Sequence, residues 1–311
     1  MNTIFVLVNR NRKLFFRDKG MLISALITPL ILIVLYGTFL ANVYKDSFRS
    51  SLPAAFAVAD KLINGAVAAQ LAAGLLAVSC VTVTFCVNLT MIQDRANGTR
   101  KDFNVSPVKR PVLYLGYFFA TVLNSLMVNG LALICCFIYM EGMGCYLSGT
   151  DVLWLLVDIV ILVLFGSSLS GIICYPLKTQ GQMSAVGTVV SAGYGFLCGA
   201  YMPIANFGSG LQKVLSFIPS TYGTSLLKNH MLRGVFEDMR ASGFPEEVVK
   251  GIADSLDCNP VFQGKEVTTE AMLLIVVLST VVLHGSLPHP DQSSGKRITD
   301  KKAPVQLVER G

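Results

Sequence analysis

The sequence predicts an all-α polytopic membrane protein with about six transmembrane helices, and three observations predict it. Of 311 residues, 53% are hydrophobic and only 14% charged, whereas a soluble domain carries about a quarter charged residues. Apolar runs of roughly twenty residues recur, the length a helix needs to cross a hydrocarbon core of about 30 Å. The basic residues behind the net charge of +6 gather at the N-terminus, in one central loop and in the C-terminal tail, an asymmetry that orients a helix bundle with those loops inside the cell. Such a spread suits contact with anionic lipid, not the single basic stripe that nucleic acid requires.

Residues 1–20 read as an amphipathic interfacial helix. Ile4, Leu7, Val8, Asn11, Leu14 and Phe15 repeat at helical spacing, and Arg10, Arg12, Lys13, Arg17 and Lys19 cover the other side. A cleaved signal peptide is the competing reading. The following run, 21–40, exceeds a signal core of about 7 to 15 residues, and no small-x-small cleavage site follows it. The first span is therefore 21–40, with Pro29 tolerated as a kink and the N-terminus cytoplasmic.

Residues 41–64 are too polar for lipid and form an external loop. The second span, 66–92, is rich in Ala, Gly, Ser and Thr, the composition of a helix packed closely among others. Residues 94–111 hold seven charges, five of them basic, and form a cytoplasmic loop. Within it Asp94 to Phe103 suits a short surface helix, stopped by Ser106-Pro107 because proline disfavours helical backbone at the preceding residue.

The third span is 112–139, with Asn124, Ser125 and Asn129 as polar interruptions; Asn124 and Asn129 are expected to bond between helices and not to hold substrate. The fourth, 152–175, contains Asp158 about two turns from its outer end. A carboxylate inside a membrane is costly and by default a functional candidate; at that depth it equally suits a solvated or hydrogen-bonded structural role. A tight inner turn leads to the fifth span, 183–201, where Gly195 and Gly199 allow either close packing or a bend.

The segment from Met202-Pro203 to Pro219 and Tyr222 repeats apolar residues at helical spacing but is too short to cross. Non-helical backbone at that depth survives where protein or a water-filled cavity covers it, and such a hairpin would seal the outer end of a pathway. Residues 228–269 read as an external loop with one helix near 246–256, in which His230 is expected to be solvated. The sixth span, 271–287, is short for a bilayer, and 288–311 has the composition of a disordered tail. The transmembrane domain is thus 21–287.

The cysteines give no framework. Cys80, Cys86, Cys135, Cys136, Cys174 and Cys198 lie in apolar runs, no CxxC occurs, and Cys145 with Cys258 is the one pair that topology places together outside.

The loop at 93–111 carries an acidic residue four positions before a Gly-Thr pair, then an aliphatic-Ser-Pro: Asp94, Gly98, Thr99, Val105, Ser106 and Pro107. With the Phe-Phe-Arg-Asp start, Met202-Pro203 and Pro219-Ser220-Thr221-Tyr222, the chain from about residue 9 to 233 resembles the ABC-2 type permease family. That resemblance implies a coupling helix docking on a separate ATPase subunit through Asp94, Gly98, Thr99, Arg100, Phe103, Ser106 and Pro107. It also implies two ATPase copies, a permease dimer with itself or a homologue, outer re-entrant helices at Met202, Pro203, Pro219 and Tyr222, and a multi-pass place in a bacterial inner or plasma membrane.

The chemistry in the chain agrees. No GxxxxGK[ST] loop is present, so ATP would be bound by the partner chain and no cofactor by this one. Neither paired intramembrane carboxylates nor metal-ligand spacings occur, so no enzyme and no metal site is expected. The expected function is export of an amphipathic or hydrophobic compound, drug-like or lipid-like. Polysaccharide export, an ATP-independent channel or carrier, and a membrane receptor or scaffold are the alternatives.

Overall fold

The computed structural model describes residues 2–35, 38, 41–42, 44–46, 60–106 and 108–286. Pro107, residues 47–59 of the predicted external loop, Leu287 and the tail 288–311 lie outside the described residues.

Helix α1 (Asn2–Arg17) meets α2 (Lys19–Leu35) at a bend of 76°. Asp18 makes the corner: its carboxylate accepts the Met21 amide at 3.1 Å, the capping bond that starts α2. Leu7, Asn11 and Phe15, spaced four apart, are the buried stripe of α1, while Phe5, Val6, Leu14 and Phe16 stay exposed. The buried stripe is therefore narrower than the predicted one, and the helix has a second apolar face turned outward.

Helix α3 (Asp60–Ala96) is the central post. Nearly every residue from Leu62 to Ile92 is buried, because α2, α5 (Arg110–Met143), α6 (Gly149–Cys174), α7 (Gln180–Leu197) and α9 (Pro219–Ala241) all pack on it. Small side chains let them approach. A Cβ on Gly166 of α6 would stand 3.2 Å from the Cys80 carbonyl oxygen, so backbone meets backbone there. Close packing of this kind holds membrane helices together where burial from water cannot.

Between α3 and α5 the chain forms the short helix α4 (Thr99–Val105). Beyond α7 come a single 3-10 turn at Ile204–Asn206, α8 (Ser209–Leu215), α9, α10 (Glu246–Ser255), the two-residue strands β1 (Val261–Phe262) and β2 (Lys265–Glu266), and α11 (Thr269–Gly285). The bundle so has two ends: a loop end carrying α4, and a far end carrying α8 and α10.

Among the described residues α3, α5 and α6 are long and apolar enough to cross a membrane, and the bent α1–α2 pair adds a fourth if it counts as one span. Helix α7 is diluted by Gln180, Gln182 and its glycines, and α11 has 17 residues. The His284 ring of α11 lies 4.6 Å from that of Phe118, eight residues or about 12 Å inside the start of α5. The last helix thus stops well short of the loop end.

Two sequence expectations are corrected, and the cysteines form no framework, as read. Residues 219–241 are one helix, so Lys228 and His230 sit in mid-helix and not in a loop. Asn129 bonds the Ser125 carbonyl of its own helix at 2.8 Å, and Asn124, fully buried, pairs with no other described residue, so neither bonds between helices. All eight cysteines are free; Cys145 is exposed and Cys258 buried. Burial pushes the Cys258 thiol up to about 12, which leaves it an inert thiol.

Candidate functional site

At the loop end the predicted knob divides into two parts. Asp94 is not on it. It belongs to the last turn of α3, only 7% exposed, where it accepts two hydrogen bonds from Arg10 at 2.7 and 2.9 Å and one from the Tyr117 hydroxyl at 2.5 Å. The bidentate fork is the strong form of such a pair. The same hydrogen bond holds the Arg10 guanidinium above its ordinary value, so it remains charged. Asp94 therefore ties α1, α3 and α5 together.

Its neighbour Arg95 points the other way. It donates to the carbonyls of Tyr175 and Leu177, the latter at 3.1 Å, and lies over the Tyr175 ring at 5.4 Å. These carbonyls belong to the turn that follows α6, and a cation there also suits the helix C-terminus. Two consecutive residues thus grip opposite sides of the bundle.

The chain then leaves α3 through Gly98, whose φ of 80° lies in the left-handed region that suits glycine. Thr99 and Arg100 open α4 and Phe103 lies within it. Arg10 stacks over the Phe103 ring at 5.1 Å, so the clamp on Asp94 also holds α4. Ser106 ends the helix, its hydroxyl donating to the Phe103 carbonyl at 2.8 Å. Val105 is left 88% exposed, an apolar side chain on a firmly seated knob.

Further along lies a cavity of about 780 Å³ between α2, α3, α7 and α10. Its walls include Leu32, Val67, Phe196 and Ile252, with Gln70, Tyr44 and Asn206 as polar points. Small-molecule sites have this size and this mix of apolar wall and few polar groups. Met202 and Pro203 line it at the far end. The turn that puts them there needs Gly199 at φ 71° and Gly195, because a Cβ on Gly195 would collide with the Tyr201 ring. Of the two roles open to these glycines, the bend is realised. Pro219 begins α9, and the Tyr222 hydroxyl donates to the Ser216 carbonyl at 2.5 Å, fastening α8 to α9.

Asp158 is 1% exposed and pairs with His230 at 2.6 Å, with the Trp154 ring stacked 5.7 Å from the imidazole. His230 is accordingly not solvated. One turn on, Arg233 pairs with Asp151 at 2.7 Å. Asp151 and Asp158 are seven apart on α6, His230 and Arg233 three apart on α9, so both pairs bridge the same two faces. That spacing is the signal that sequence reasoning passed over.

A bundle of long apolar helices with a short helix projecting from one end defines a polytopic membrane protein. The profile of the ABC-2 type transporters matches residues 2–232, well over half of the chain. The chain belongs to the ABC-2 type transporter family, whose members are the membrane components of ABC transporters. Curated protein sequences give no match.

Proposed function

We propose that this chain is the permease of an ATP-driven exporter, powered by two copies of a separate ATPase subunit that dock on α4. The observation that carries this is the pairing of an exposed apolar tip at Val105 with a rigid base, the Arg10 clamp on Asp94 and Phe103. A docking element must be exposed to be gripped and stiff to transmit a push. Asp94 and Arg95 would pass that push to α1, α5 and the α6–α7 turn, tilting helices as rigid bodies between two states. The basic residues of α1 and of the loop around α4 favour a cytoplasmic loop end in the plasma membrane.

A second copy, identical or homologous, completes the pathway. Helix α7 exposes the small or polar Gln182, Ser184, Ala185, Thr188 and Ala192 beside Val189, Phe196 and Leu197, whereas α5 exposes the large apolar Leu123, Met127, Leu131, Ile134 and Ile138. The second surface is suited to lipid and the first to another protein. The apolar cavity beside α7 favours an amphipathic or hydrophobic cargo over a polysaccharide, which would want a polar channel.

The test is reconstitution with its ATPase in vesicles. ATP-driven movement of an amphipathic fluorescent dye is the expected result. Movement without the ATPase would replace this reading by a carrier.

A further inference from the structure

Lys228 sits in mid-α9 with 1% of its side chain exposed. Its ammonium donates to the Gly199 carbonyl at 3.1 Å and to Asp257 at 3.5 Å. Asp257 follows α10 with φ 58°, a left-handed conformation that Asp tolerates better than most residues. Its carboxylate also accepts the backbone amides of Ile204 at 2.6 Å and Ala205 at 3.4 Å, and its carbonyl accepts the Ser225 hydroxyl at 2.7 Å. One cation and one anion thus join the end of α7, the turn after Pro203, α9 and α10.

These pieces are the far wall of the cavity: Met202, Pro203 and Asn206 on one side, Ser255 and Leu256 on the other. Cargo leaving that way must part the Pro203 turn from α10, and the Asp257 contacts are what must yield. A buried ion pair is a poor device for stability alone, since apolar residues of equal volume do as well or better. This one is also long, at 3.5 Å against about 2.7–2.9 Å for a strong charged pair. When the Pro203 turn parts from α10, the two amides are released while Asp257 keeps Lys228 and Lys228 keeps the Gly199 carbonyl, so neither charge is left alone. A contact that is specific yet separable is what a gate needs.

We propose that Lys228 and Asp257 are the positioning residues of an ionic latch that holds the outer gate of the cavity shut. The proposal rests on the exporter reading for which side is outside. The test measures, in a Cys145→Ser background, how fast a cysteine placed at Met202 reacts with a membrane-impermeant maleimide in Lys228→Met, Asp257→Asn and the double variant, each shown to be folded by its melting curve. Asn keeps the left-handed backbone, so the second variant separates charge from conformation. The latch predicts labelling about tenfold faster in both single variants and no recovery in the double, with ATP hydrolysis raised relative to export. Lys228→Arg keeps slow labelling. Wild-type labelling in the single variants, or its return in the double, would overturn the latch and reduce the pair to charge compensation. Labelling needs no ATPase, so a failed exporter reading would show itself separately, as absent ATP-driven transport.

Discussion

The two ends of the bundle are tied in opposite ways. At the loop end, one bidentate pair and one stacked ring seat a short helix whose tip is left bare. At the far end, Asp151–Arg233, Asp158–His230 and Lys228–Asp257 are pairs that stitch α6, α9 and α10 together. Under the proposed function the first end is the one that is pushed, and the second stays closed until then. Charge inside a membrane protein marks where helices must hold a fixed relation, and here it does so at both ends for different reasons.

Reversing one charge at the loop end gives the largest expected effect. Asp94→Lys sets a second cation beside Arg10 in a buried site, and breaking a buried pair costs about 3–5 kcal/mol. The purified protein should melt many degrees lower, and Arg10→Asp combined with Asp94→Arg should recover part of the loss. An unshifted melting curve would mean that the Arg10 clamp does not form. At the far end, His230→Leu leaves Asp158 without its partner, and about 1–3 kcal/mol is lost when a buried acceptor is orphaned. Asp158→Asn with His230→Leu should be milder than His230→Leu alone, as measured by the same melting curve. The smallest effect is at the hinge. A Cβ on Gly98 would meet nothing within 4 Å, so Gly98→Ala costs only the left-handed backbone, about 1–2 kcal/mol. Gly98→Pro cannot reach φ 80° at all, and it should uncouple transport while the bundle stays inserted.

Much of this was legible in the chain itself. Span composition marks α3 as the interior helix, and the charge density at 94–111 marks a loop that leaves the membrane. The bend at Gly195 and Gly199 is likewise visible as a glycine cluster before Met202-Pro203. What escaped is pairing over long separations. Arg10 and Asp94 are 84 residues apart, and Asp158 and His230 are 72 apart. Hydropathy reads each alone as an exposed charge, so Asp94 was placed on the surface and His230 in water. Residues 219–241 escaped for the same reason, since Lys228, His230 and Arg233 pair with Asp257, Asp158 and Asp151 far away in the chain and do not mark a loop. Arg95 was invisible because the carbonyls it caps have no sequence signature.

The docking role of α4 is most directly tested at Val105, which touches the bundle least. Val105→Glu should leave insertion and melting temperature unchanged, since exposed substitutions stay within about 0.5 kcal/mol. The account predicts that this variant no longer co-purifies with its ATPase and no longer exports. A variant that keeps the ATPase bound at wild-type level would contradict it.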